Sequence, residues 1–194
     1  MSDLWLIRHG ETEWSRTGRH TGRTDMPLTA LGVRQARLLS RRIANQPFAM
    51  VMTSPLQRAR ETCRLAGKGD VAVIDDDLRE WDYGVYEWRT TADIRGDVPA
   101  WTVWTDAIPE GESLADVATR AERVIARALA ANGDVAIFAH GHLLRVLAAR
   151  WVGLPAIDGR LFNLDTASLS RLGTERDIHV IRCWNERYDL LEVP

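Results

Sequence analysis

Leu4-Trp5-Leu6-Ile7-Arg8-His9-Gly10-Glu11 and Val135-Ala136-Ile137-Phe138-Ala139-His140-Gly141-His142 are each a short apolar run that stops at a His-Gly pair. A run of four or five apolar residues without polar alternation reads as a strand buried on both faces. In an open parallel sheet, ligands bind outside the carboxyl ends of the strands. Two such strands lying near each other therefore bring His9 and His140 into one crevice. A histidine pair beside an arginine, here Arg8, suits phosphate chemistry.

Outward from these two segments, residues 49–53 and 71–74 read as further buried strands, with weaker candidates at 167–172 and 178–183. Helical patterns fall between most of them. Thr29 is a plausible N-cap for a helix that shares Leu31, Leu38, Leu39 and Ile43 on one face and stops before Pro47. Ser54-Pro55 reads as a helix start, Ser54 as N-cap and Pro55 at the first helical position, running to about Ala66 before Gly67. After Ser113, the apolar positions Leu114, Val117, Ala118, Ala121, Val124, Ile125, Ala128 and Leu129 form a buried stripe that Asn132-Gly133 ends. Alternating strands and helices predict an α/β fold, a three-layer sandwich whose mostly parallel central sheet carries helices on both faces. Residues 79–112, rich in Trp, Asp, Gly and Pro, predict an irregular excursion that covers the site.

The chain has 194 residues and 45% hydrophobic content, enough for one domain over residues 1–194. A net charge of -2 gives no whole-chain reason to expect nucleic acid as a partner. Lys68 is the only lysine, so the basic residues are almost all arginine. Cys63 and Cys183 stand far apart without metal or redox spacing, and the first residues carry no basic leader. With no apolar stretch near the ~20 residues of a membrane span, the expected compartment is the cytoplasm.

Arg8 and His9 point to opposite faces of a regular strand, so both serve one pocket only beyond the strand end. Gly10 permits a turn there and a close approach to the backbone. A neutral imidazole at His9 is a competent nucleophile toward phosphorus. An isolated Arg-His-Gly is more often an ordinary surface triplet, so the triplet alone is a weak signal. Arg58 lies in the first turn of a helix that follows a strand, where the helix dipole favours an anion; the plain alternative is a surface pair with Glu61. In Leu78-Arg79-Glu80-Trp81-Asp82-Tyr83-Gly84-Val85-Tyr86-Glu87, carboxylates sit among aromatics, a setting for a general acid. Glu80 is the candidate, with Asp82 and Glu87 as competitors.

With these segments assembled, the chain resembles the histidine phosphatase superfamily in its phosphoglycerate mutase-like branch. The resemblance runs nearly end to end. It rests on Leu6-Ile7-Arg8-His9-Gly10-Glu11-Thr12, Ser54-Pro55-x-x-Arg58-Ala59-x-Glu61-Thr62, Leu78-x-Glu80-x-x-x-Gly84-x-x-Glu87, Gly111-Glu112-Ser113 and Ala139-His140-Gly141. It implies that His9 is transiently phosphorylated, that Arg8, Arg58 and His140 surround the phosphoryl oxygens, and that Glu80 serves as acid and base. It also implies no metal and no cofactor. Thr21, Gly22, Tyr83 and Gly141 match substrate-side positions. Ser15 stands where many members carry asparagine, which leaves it a hydroxyl contact. The spacing His140-x-His142 lacks the further ligands a metal would need.

The implied activity is phosphoryl transfer from a small phosphorylated metabolite, a sugar phosphate or bisphosphate. A mutase is the nearest alternative, and a non-catalytic phospholigand-binding module is a further one. The stretch from Glu87 to Glu112 is short and carries only Arg89 and Arg95 as basic residues, which favours a phosphatase. Motif spelling is closest to broad-specificity acid phosphatases and sedoheptulose bisphosphatase-like sugar phosphatases. Trp88 departs from the glycine common at that place, where a large ring either narrows the pocket or covers the sheet edge. Arg16, Arg19, His20 and Arg23, in the loop after His9, form either a site for a second acidic group or a solvated basic loop. Trp101 and Trp104 either stack on substrate or, the favoured reading, anchor the excursion to the core.

Overall fold

The two opening segments form neighbouring parallel strands, β1 (Leu4–Arg8) and β4 (Val135–Ala139), with Arg8 opposite Ala139. They lie in the middle of a six-stranded sheet in a computed structural model that describes residues 3–187. Two further strands, β2 (Met50–Thr53) and β3 (Ala72–Ile74), extend the sheet beyond β4, all parallel. On the other side a hairpin, β5 (Leu169–Glu175) and β6 (Ile178–Glu186), joins β1 through an antiparallel pairing. The order is β3-β2-β4-β1-β5-β6.

The apolar runs are continuous because both faces of the sheet are covered. Leu4, Leu6, Met52 and Ile137 pack with Val117, Ala121, Val124 and Ala128 of α5 (Leu114–Leu129) and with α6 (Gly141–Trp151). Alternate positions Ile7, Val51, Ala136 and Phe138 pack with Leu39 and Ile43 of α2 (Ala30–Ile43) and Cys63 of α3 (Gln57–Leu65). The three-layer α/β sandwich is therefore present. Among the described residues, no helix is long and apolar enough to cross a membrane.

Several local expectations are corrected. Residues 71–74 are not a buried strand: β3 is a three-residue edge on which Val73 and Ile74 are 59% and 53% exposed. The weaker strands start or run past their apolar stretches, because hairpin pairing carries β5 through Gly173-Thr174-Glu175 and β6 to Glu186. Thr29 caps α2 as expected, its Oγ1 accepting from the Gly32 N–H at 3.0 Å. The buried face of α2, however, runs through Gly32, Ala36, Leu39 and Ile43, leaving Leu31 and Leu38 only partly covered.

The small residues on that face answer to a close approach. A Cβ on Gly32 would meet the Glu11 carbonyl oxygen at 2.1 Å, and one on Gly10 would meet the Gly32 oxygen at 2.5 Å. Gly10 thus serves the packing of the β1 end on α2. Ser54 does not cap α3, which starts at Gln57 after Leu56. Asp25 from a distant loop accepts the Gln57 N–H instead, at 2.7 Å, while the Ser54 hydroxyl accepts the Leu56 N–H at 3.3 Å and lies 2.7 Å from His140 Nε2. The excursion is not wholly irregular. It holds a tight 3-10 turn at Gly84–Tyr86 and a short helix, α4 (Thr91–Asp97), with a Thr90–Asp93 capping box.

Candidate active site

A cavity of about 400 Å³ opens at the carboxyl ends of β1 and β4, with Arg8, His9, Glu80, Tyr83, Gly141 and His142 in its wall. A larger cleft of about 620 Å³, between the Pro27-Leu28 loop, α3 and the β3 edge, contains none of the candidate catalytic residues. Residue chemistry, not size, locates the site.

His9 is held by the continuing ladder: its N–H donates to the Ala139 oxygen at 3.0 Å, and its oxygen accepts from the Ala167 N–H at 2.9 Å. Its Nδ1 lies 2.7 Å from the Gly10 oxygen. A carbonyl only accepts, so Nδ1 carries the hydrogen and Nε2 keeps a free lone pair. Burial first, then the positive charges of Arg58 and Arg8, hold the imidazole well below its ordinary pKa. A neutral imidazole at physiological pH follows. Arg8 donates from Nη1 to the Leu164 oxygen at 2.5 Å, while its buried Nε has no partner among the described residues. That unmet donor is a natural contact for an oxyanion. The guanidinium lies flat on Gly141, where a Cβ would come within 3.3 Å of Arg8 Cζ.

Arg58 and His140 stand behind this wall and do not line the cavity. The His140 ring is 5.2 Å from that of His9, centre to centre. Its Nε2 lies 2.7 Å from Ser54 Oγ, and its Nδ1 accepts from Arg58 Nε at 3.2 Å. Arg58 spends its other nitrogens on carbonyls: Nη1 on Thr24 at 2.9 Å, Nη2 on Thr21 at 2.9 Å and Gly22 at 3.1 Å. The fully buried guanidinium braces the loop of residues 21–24 and supplies positive charge behind His9. The surface pair with Glu61 is made by Arg64 instead, at 2.7 Å.

Glu80 reaches the first turn of α6. Its Oε2 accepts from the His142 N–H at 3.0 Å, and its Oε1 from the N–H groups of Leu143 and Trp81 at 2.9 and 3.0 Å. These bonds fix a carboxyl group at the cavity wall. The competing carboxylates face elsewhere. Asp82 pairs with Arg23 at 2.6 Å and accepts the Gly84 N–H. Glu87 accepts the N–H groups of Gly22 and Thr24, both at 2.9 Å.

Tyr83 lies with its hydroxyl 2.6 Å from His142 Nδ1, and burial, then Glu80 and Glu87, push its pKa well above the ordinary value. Ser15 and Thr21 also reach the cavity. The Ser15 hydroxyl is committed to a capping box with Thr12 at the start of the short helix α1 (Glu13–Arg16), donating to the Thr12 oxygen at 3.0 Å and accepting its N–H at 2.9 Å. Gly22 is not in the wall, since its N–H is turned to Glu87 and its oxygen to Arg58. Among the described residues, no three His, Cys, Asp or Glu gather as a metal-binding group.

The family profile of the histidine phosphatase superfamily (branch 1) matches residues 4–187. The chain belongs to that superfamily. This histidine phosphatase is 42% identical over 179 residues to an acid phosphatase of Mycobacterium tuberculosis, covering 90% of this chain and 88% of that one. It is 38% identical over 181 residues to the sedoheptulose 1,7-bisphosphatase of Saccharomyces cerevisiae, covering 77% of this chain and 67% of the relative. The solved structure of a Mycobacterium tuberculosis open reading frame, Rv3214, superposes with a TM-score of 0.91 at 39% identity over 96% and 98% of the two chains. The protein is a phosphatase.

Three supports of this histidine phosphatase site escape sequence reasoning. Ser54 anchors His140, as above. Thr62 Oγ1 accepts the Gly10 N–H at 3.0 Å and donates to the Arg58 oxygen at 2.7 Å, tying α3 to the loop that follows His9. Arg120 of α5 pairs with Glu112 at 2.7 Å and donates to the Asp77 and Arg79 oxygens at 2.7 and 2.9 Å, clamping the segment that delivers Glu80. Their polar letters in otherwise apolar or periodic segments were visible, but His140, Gly10, Asp77 and Arg79, the partners that give them their roles, lie 41 to 86 positions away. Trp88 neither lines the cavity nor covers the core. It is 58% exposed at φ 65°, a left-handed conformation that explains why glycine suits the place. Trp101 is buried against Tyr86 and His20 and also walls the cavity, with Trp104 beside it.

Proposed function

We propose that this phosphatase hydrolyses a small phosphomonoester, a sugar phosphate or bisphosphate, through a phosphohistidine at His9 and without a metal ion. The observation that carries the reading is the His9 Nδ1 to Gly10 bond, which leaves Nε2 unprotonated in a cavity shared with Arg8 and Glu80. Nε2 attacks phosphorus as the ester P–O bond breaks, and the Glu80 carboxylic proton passes to the departing oxygen. The Glu80 carboxylate then takes a proton from water, whose oxygen attacks phosphorus. Cleavage of the P–N bond returns the electron pair to Nε2 and releases phosphate. Arg8 at the wall, with Arg58 behind it, supplies the charge that phosphoryl transfer needs, and the neutral His140 ring packs beside His9.

Relatives named acid phosphatase and sedoheptulose 1,7-bisphosphatase support the substrate class. Free cysteines, with burial pushing the Cys63 thiol up to about 12, fit the reducing cytoplasm expected for it. The test is turnover by the wild type and by His9→Ala with chelator present. Phosphate release by the wild type alone supports the reading; an active His9→Ala, or loss of wild-type activity in chelator, overturns it.

A further inference from the structure

The cavity continues past the reacting groups to a wall that carries Arg19, Arg95 and Arg145, and among the described residues Glu80 is its only carboxylate. Thirteen arginines elsewhere in the described residues pair with carboxylates. These three do not. The two other basic residues of the loop after His9 are spent on such pairs, Arg16 with Glu13 at 2.7 Å and Arg23 with Asp82 at 2.6 Å. Burial pushes His20 down to about 4, so it is neutral and adds no charge.

Arg145 is the fixed member of the group. Its guanidinium carbon lies 4.7 Å over the Trp104 ring. Its Nε and Nη2 donate to the Gly159 and Arg160 oxygens, each at 3.0 Å. Trp104 is backed in turn by Trp81, with ring centres 5.8 Å apart, and by His142 at 5.3 Å. The charge is therefore held on an aromatic shelf, half-buried, with Nη1 unclaimed among the described residues. A cation partly removed from water and not neutralised by protein is an unfavourable arrangement unless a ligand supplies the counter-charge. Arg95, from the covering segment and with its Nε donating to the Trp101 oxygen at 2.9 Å, and Arg19, from the loop after His9, reach the same wall.

We propose that Arg145, assisted by Arg95 and Arg19, binds a second anionic group on the substrate's leaving side. The favoured substrates are then phosphomonoesters of sugars or polyols that carry another phosphate or a carboxylate. The proposal rests on the reading of His9 and Glu80 as the reacting end of the cavity.

The test compares kcat/KM within matched pairs: a sugar bisphosphate against its monophosphate, and 3-phosphoglycerate against glycerol 3-phosphate. The first pair reports a phosphate as the second anion and the second pair a carboxylate. The wild type is expected to prefer the doubly anionic member of at least one pair by about tenfold or more, the scale of a charge-assisted hydrogen bond. Added salt should narrow that preference. In Arg145→Met the ratio should fall toward one, chiefly through KM, and Arg145→Lys should restore part of it. Arg95→Met, expected to reduce the ratio more weakly, decides the matter if Arg145→Met fails to fold. No preference in the wild type, or equal losses on both members in both variants, overturns the subsite. An active His9→Ala would instead overturn the underlying reaction, so the two failures are distinguishable.

Discussion

At the scale of single residues, the site works by restricting what each group can do. His9 is denied a proton by burial and by two nearby guanidinium groups, and its Gly10 bond selects which nitrogen is free. Glu80 is aimed by three backbone N–H groups. Replacing it by Gln should lower kcat by about 10²- to 10⁴-fold, the span of a general acid. Steady-state kinetics should show the loss to be larger for sugar esters than for p-nitrophenyl phosphate, whose leaving group needs little protonation. Arg58→Ala should cost both activity and roughly 2–4 kcal/mol of stability, since it removes the partner of buried His140, of the buried Gly22 carbonyl and of the part-buried Thr21 and Thr24 carbonyls. Urea titration checks this, and Lys should rescue little because it lacks the fork. That His9, Arg8 and Glu80 gather at one cavity was legible in the sequence, from strand ends and neighbouring aromatics. The inward turn of Arg58 was not, because a letter at a helix start does not tell which way a long side chain runs.

At the scale of elements, glycines decide how closely the layers meet. Alanine at Gly32 would gain about 1 kcal/mol in helix propensity but place a Cβ 2.1 Å from a backbone oxygen. Such overpacking costs about 3 kcal/mol or more, so Gly32→Ala should destabilise the fold by about 2 kcal/mol. Gly96, inside α4 with nothing within 4 Å of its would-be Cβ, is the contrasting case. Gly96→Ala should raise stability by about 0.5–1 kcal/mol, as paired thermal or urea unfolding curves would show. Strands β1, β2 and β4 and helices α2 and α5 were readable from apolar runs, stripes and caps, since each signal is local. The start of α3 was misread because its first free N–H is met by Asp25, more than thirty positions away. Edge exposure of β3 was equally invisible, because a strand's place in the sheet order is set by partners and not by its own composition.

At the scale of the whole molecule, the histidines near the cavity are buried in neutral form, which makes stability depend on acid. His20 titrates near 4 in the folded protein, below its ordinary 6.5. Between those values the unfolded chain binds a proton that the folded one does not, so stability rises with pH across that window and is lost as pH falls through it. The loss from His20 alone is about 3 kcal/mol by pH 4. His9, His140 and His142, all held well below their ordinary values by burial first, act in the same direction. Asp77, held down to about 2 chiefly by its bond to Arg123, adds a further loss from about pH 4 downward. Urea midpoints taken from pH 7 to pH 4 should fall steadily, with a shallower slope in His20→Gln.

The measurement that tests the central claim most directly is rapid quenching of turnover into alkali, followed by mass spectrometry of the His9-containing peptide. The account predicts an alkali-stable, acid-labile phosphoryl group on His9 in the wild type, accumulating further in Glu80→Gln if water attack is slowed, and absent from His9→Ala. A wild type that turns over steadily with no phosphoryl group on His9, or with the label on another residue, would contradict it.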